Sequence, residues 1–139
     1  MELKLTNENY VSEAEKVIKE IRDNAKKGGM VTTSKIRKIL AMVSDIYNDA
    51  RHISGDKLDT EMISRIQYLK MHVVYEAGRD KEIRQGRNYM DGPVKSFIIK
   101  ADIINQIDQI GTSKSNLITF CHYMEALVAY RKFLGERDE

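Results

Sequence analysis

Apolar residues return every third or fourth position in block after block of this chain, and no segment alternates apolar with polar at period two. Asp91-Gly92 is followed by helical spacing, so no Asn-Gly or Asp-Gly turn joins two apolar runs as in a hairpin. Stripes of that period are buried only by packing helix on helix, which predicts an all-α fold: a single-domain five-helix bundle over residues 1–139. Tyr10, Ala14, Val17, Ile18, Ile21 and Ala25 mark the first helix, stopped by Gly28-Gly29. Ile36, Ile39, Leu40, Val43, Ile46, Tyr47, Ala50 and Ile53 mark the second, capped by Thr33 or Ser34 and ending near Ser54-Gly55. Asp59 caps the third. Val94, Phe97, Ile98, Ala101, Ile104 and Ile107 form the fourth, from Pro93 to Gly111, and a fifth runs from Thr112 or Ser113 to Leu134. Residues 80–92 read as a loop or a frayed extension.

The third helix, Asp59 to Arg79, carries two stripes. Ile63, Ile66, Val73, Val74 and Ala77 form a buried face, widened by Met62 and Leu69. Arg65, Tyr68, His72, Tyr75 and Arg79 form a second ridge, cationic and aromatic by turns, roughly 20 Å long at about 1.5 Å per residue. Guanidinium groups on such a ridge suit phosphates, and flat rings suit stacked bases. The same spacing also suits two tyrosines packed beneath a neighbouring helix with their hydroxyls in water, and both readings stand.

The start of the second helix is basic. Five cations and no acid fall between Lys26 and Lys38, so Lys35, Arg37 and Lys38 add to the partial positive charge of a helix N-terminus. A bound phosphate would offset that repulsion; a solvated first turn behind an ordinary cap is the plainer alternative. Lys70, four residues after Ile66 and three before Val73, emerges from the edge of an apolar stripe, which suits a phosphate contact or a structural ion pair.

With 23 basic against 21 acidic residues and a net charge of +2, the chain is neither a bulk polycation nor a disordered tail. A nucleic-acid site must therefore come from local clustering. A single cysteine, Cys121, leaves no internal disulfide and no cysteine-only metal site, and fits a reducing compartment. Neither a membrane-length apolar run nor a secretory leader is present, so the expected location is cytoplasmic. No Glu-x-x-His pair, Gly-rich phosphate loop, nucleophile elbow or His-Glu-x-x-His motif occurs. Asp49 and His52 give one Asp-x-x-His, and Cys121 lies on an apolar stripe with His122 turned about 100° away. The expectation is a protein that is not an enzyme and uses no metal and no cofactor.

Four blocks then occur in order across nearly the whole length: LTNENYVSEAEK from Leu5, VTTSKIRKIL from Val31, RIQYLKMHVVYEAGRD from Arg65, and CHYMEALVAYRKF from Cys121. Together they resemble the small helical subunit of the type III-A CRISPR RNA-guided effector complex. The resemblance implies a five-helix protein without catalysis of its own, acting in antiviral defence in several stacked copies beside other subunits. It would line the path of target RNA paired to guide RNA. An RNA-contacting role is implied for Lys35, Arg37, Lys70 and Arg79 alone; Lys38, from the basic start of the second helix, and Arg65, from the ridge of the third, are weaker candidates on their own residues' reading. Between Asp80 and Pro93 the chain looks longer than its relatives, so Arg84 and Arg87 inherit no role.

A subunit repeated along a guide–target duplex must accept any sequence, so it should touch phosphates and sugars rather than base edges. Two other readings remain. A helix-turn-helix DNA-binding regulator needs a recognition helix soon after Leu40, where the second helix instead runs on; the other is a bundle that only bridges proteins. Glu125, four residues after Cys121 and three before Val128, is expected within or beside the fifth stripe. A carboxylate there needs a cation from Lys70, Arg37 or Arg79, an arginine best of all, which it would orient towards RNA.

Overall fold

The structure, a computed structural model, describes residues 4–24 and 30–134. The first three helices begin where the sequence supplies a side-chain acceptor. Thr6 and Asn9 exchange side-chain and backbone hydrogen bonds ahead of α1 (Tyr10–Asn24). Thr32 accepts from the Lys35 amide and opens α2 (Thr33–Ala50), so the cap lies one residue before Thr33 and two before Ser34, the two expected caps; Thr33 itself is buried. Asp59 opens α3 (Thr60–Gly78) by accepting from the Met62 amide. The expected stop at Gly28-Gly29, and Ala25 before it, lie outside the described residues.

The expected frayed segment at 80–92 is a hairpin. Strand β1 (Ile83–Gln85) pairs antiparallel with β2 (Asn88–Met90) around a turn at Gly86-Arg87, where Gly86 takes φ 65°. Three-residue strands are too short for alternation to register in a sequence. The expected fourth helix is two, α4 (Pro93–Lys100) and α5 (Ile103–Ile110), so with α6 (Lys114–Phe133) the described residues hold six helices rather than five. Asp102 makes the break in the left-handed conformation, φ 59° and ψ 35°, which aspartate tolerates better than most residues. Its carboxylate accepts from Asn105 Nδ2 and Gln106 Nε2, both at 3.0 Å. Helical spacing runs through the break because Ala101, Ile104 and Ile107 still comply. The buried set nevertheless shifts to Ile103, Gln106, Ile107 and Ile110.

The last helix, α6, is the centre of the packing, with its most extensive contacts to α1 and α2 and a further face on α5. Its buried residues, from Leu117 to Arg131, cover more than half of its circumference at about 100° per residue. Tyr123, fully buried on it, donates to the Ala101 carbonyl at 2.8 Å, just before the α4–α5 break. Helix α3 packs against α2 and against α4 and α5. The connection 51–59 is tied to the start of α6: the Asp56 carboxylate accepts from the Ser113 and Ser115 hydroxyls and the Ser115 amide, while Lys114 Nζ donates to the Arg51 and Ile53 carbonyls. The Ser115 bonds, then that of Ser113, hold the Asp56 carboxyl below its ordinary value.

Candidate nucleic-acid interface

The beginning of α2 and the end of α3 meet at one end of the bundle. Lys35 and Lys38 share a narrow cleft there with Met42, His72, Glu76 and Val94. Both lysines are exposed, and among the described residues neither has an ion-pair partner. The first turn of α2 contains no acid, so the macrodipole and the two ammonium groups reinforce one another. Arg37 is exposed as well and has no ion-pair partner among the described residues, but it leaves α2 about 160° around the helix from Lys35. It emerges on the flank where Ser44 meets Cys121 and Tyr47 meets His122.

On α3 the buried stripe is Met62, Ile66, Leu69, Val73 and Ala77; Ile63 is half-buried, and Val74, expected inside, is exposed. The second ridge faces outward. Tyr68 and Tyr75 are each 61% exposed, so neither packs beneath a neighbouring helix. The Arg79 guanidinium lies 6.0 Å from the Tyr75 ring centroid and 3.7 Å from the Glu76 carboxylate. Arg65 holds Asp49 at 2.6 Å and lines a second cleft farther along the α2–α3 seam with Met42, Asp45 and Tyr68. Lys70 pairs with Asp108 of α5 at 2.7 Å, on the flank away from α2. Such half-exposed pairs contribute little to stability. The structure thus gathers Lys35, Lys38 and Arg79 at one end, places Arg65 along the same seam, and sets Arg37 and Lys70 apart.

Glu125 is exposed and holds no cation among the described residues, so the expected orienting role has no geometric basis. The α6 stripe is centred on Phe120, Met124, Leu127 and Arg131, and one step past Met124 turns a side chain about 100° outward. Its field instead reaches Cys121: burial chiefly, and Glu125 next, push that thiol up to about 11 against an opposing hydrogen bond with Ser44. His122 lies 5.7 Å from the Tyr10 ring and 6.5 Å from that of Tyr47, an aromatic cluster rather than a base facing the thiol.

The buried cation is Arg131, only 1% exposed, whose Nε donates to the Val31 carbonyl at 2.6 Å. Val31 immediately precedes the α2 cap, so Arg131 fixes the entry to the helix that presents Lys35 and Lys38. It was not among the expected site residues, although its place seven residues after Met124 and four after Leu127 sets it on the apolar stripe.

Fold and site together define a small helical bundle whose distinctive chemistry stands on exposed helix faces. Among known proteins, the family described as Csm2 Type III-A matches residues 4–137. The CRISPR system Cms protein Csm2 of Streptococcus thermophilus is 38% identical over 134 residues, covering 96% of this chain and 98% of that one. Its namesake in Mycobacterium tuberculosis (strain ATCC 25618 / H37Rv) is 30% identical over 137 residues, 99% of this chain and 100% of its own. That of Enterococcus italicus is 29% identical over 135 residues, 90% and 89% of the two chains. The chain belongs to the Csm2 family of type III-A CRISPR systems. No helix of the described residues is long and apolar enough to cross a membrane.

Proposed function

We propose that this chain is the small helical subunit of a type III-A CRISPR ribonucleoprotein effector complex, acting cytoplasmically in antiviral defence. It holds target RNA, paired to guide RNA, through phosphates and without regard to sequence, and leaves cleavage to other subunits. The observation that carries this reading is the pair Lys35 and Lys38, exposed and unneutralised at an acid-free helix N-terminus beside Arg79 and the open ring of Tyr75. Arg37 supplies a further contact from the opposite flank of α2. Arg65 and Lys70, which already hold carboxylates, contribute less.

Binding of the full chain to labelled oligouridine across a series of salt concentrations tests the reading. Loss of Lys35 and Lys38 together should flatten the log–log slope by about 1.4, two phosphates at about 0.7 each on a single strand. A slope unchanged in that double variant, with Arg37→Ala flattening it instead, would move the RNA path to the other flank. Exposed Tyr68, Met71 and Val74 favour a second element of the reading, contact with other subunits or copies of this chain. A purely protein-bridging bundle would show that contact and no salt-dependent RNA binding. A helix-turn-helix reading finds no recognition helix, because α2 continues to Ala50 and the connection 51–59 is tied to α6.

A further inference from the structure

The hairpin between α3 and α4 has a fixed base and an unneutralised tip. Asp80 Oδ2 accepts from the Val94 amide at 2.9 Å and the Lys95 amide at 3.0 Å, so it caps α4 from the opposite end of the hairpin. Gly92, at the cap position, has no space for a Cβ against the Asp80 carboxylate and the Lys81 carbonyl. The two ends of the segment are therefore clasped together. Asp91 is taken by Lys95 at 3.5 Å. Lys81, Arg84 and Arg87 remain against Glu82, all four exposed and none in an ion pair among the described residues.

The ribbon places the two kinds of recognition group side by side. Arg84 is directly opposite Tyr89 in the strand register, and cross-strand partners share one face with Cβ atoms about 5 Å apart. Tyr89 is largely exposed, and Arg84 Nε donates to the Gly86 carbonyl at 3.2 Å, which leaves its other donors without a partner among the described residues. The base of this ribbon adjoins the basic end of the bundle, since Val94, held by Asp80, lines the cleft that contains Lys35, Lys38 and His72.

We propose that the β1–β2 hairpin is a second RNA-contacting element, in which Arg84 and Arg87 meet phosphates and Tyr89 stacks on a base of the strand held at Lys35 and Lys38. The inference rests on the RNA-binding reading above and extends it to a part of the chain for which resemblance implied no role. An acidic protein surface would need the arginines alone; a flat ring in register with a guanidinium matches a nucleotide, which carries a phosphate and a stacking face together. Nothing in this pairing reads base edges, so the contact tolerates any sequence.

The test uses the full chain, labelled oligouridine and a salt series, with Arg84→Ala/Arg87→Ala, Tyr89→Ala, Tyr89→Phe and Lys35→Ala/Lys38→Ala compared with the parent. The arginine variant should lower the salt slope by about 1.4. Tyr89→Ala should weaken binding by about fivefold or more at every salt concentration without altering the slope, and Tyr89→Phe should restore affinity. Parent-like binding by the arginine and Tyr89→Ala variants, with a flattened slope for Lys35→Ala/Lys38→Ala, would overturn the hairpin assignment and leave the α2–α3 reading intact. No salt-dependent binding by the parent would overturn both. If the arginine variant bound RNA normally but failed to join the reconstituted complex, the hairpin would be a protein contact and the assignment wrong.

Discussion

Replacing Tyr123 with phenylalanine removes one oxygen atom from the inside of the bundle and leaves the ring in place. That oxygen is the donor to the Ala101 carbonyl at 2.8 Å, and both residues are fully buried. The carbonyl depends on it because Asp102 turns left-handed and interrupts the helix that would otherwise have supplied an amide. Burial above all, then the fields of Asp102 and Glu13, raise the Tyr123 phenol well above its ordinary value, so it remains a protonated donor across the neutral range. Without it a carbonyl stays dry and unsatisfied, at a cost of about 1–3 kcal/mol. For 139 residues, an unfolding entropy of about 2.1 cal/mol/K per residue comes to about 0.3 kcal/mol/K, so Tm should fall by about 3–10 °C. Thermal melting followed by far-ultraviolet circular dichroism reads this directly, with Tyr130→Phe, which loses no such bond, as the control. A Tyr123→Phe protein that melted within about one degree of the parent would refute the idea that this hydroxyl secures the α4–α5 break.

Three further outcomes follow from particular groups. Asp56 has its carboxyl lowered in the folded state, so its contribution is present above the ordinary carboxylate range and is lost as pH falls through the lowered value. Asp56→Asn should therefore melt below the parent at neutral pH and converge with it in acid; a gap that persists in acid would show that charge is not the cause. Cys121, pushed up to about 11 from an ordinary 9.0, should react with iodoacetamide about a hundredfold more slowly than an unhindered thiol near neutrality, and Glu125→Gln should speed the reaction while leaving RNA binding unchanged. Fast labelling of the folded parent would contradict its burial. Oligouridines of increasing length should bind cooperatively once two copies of the chain fit side by side, and strictly independent binding at every length would count against contact between copies.

The long stripes were legible because a period of 3.6 leaves a trace in any helix of several turns. Asp59 and Ser113 were readable as caps because short oxygen-bearing side chains just before a stripe have few other uses. The α4–α5 break was not legible, since one left-handed residue removes no beat from the apolar spacing around Asp102. The hairpin was hidden by its shortness, and its tie to α4 runs through Asp80, fourteen residues from Val94. Of the candidate residues, sequence singled out Lys35 and Lys38 by their acid-free surroundings, but clustering along a chain does not say which flank a side chain takes, and Arg37 parts from them for that reason. The burial expected for Glu125 belongs to Arg131. Two residues a few steps apart on one helix can exchange inside and outside when the stripe's centre shifts by a third of a turn.

The central position of α6 also bears on how the chain is made. Every described element that α6 touches precedes it in sequence, so α1 and α2 emerge from the ribosome long before their main packing partner exists. Until then the apolar faces of α1 and α2 lack their most extensive partner, with only α4 against the first and α3 against the second. Nascent chains halted before Leu117 should accordingly be sensitive to protease and retained by chaperones. Chains released just past Leu134 should close in one cooperative step, with the early helices waiting on the last.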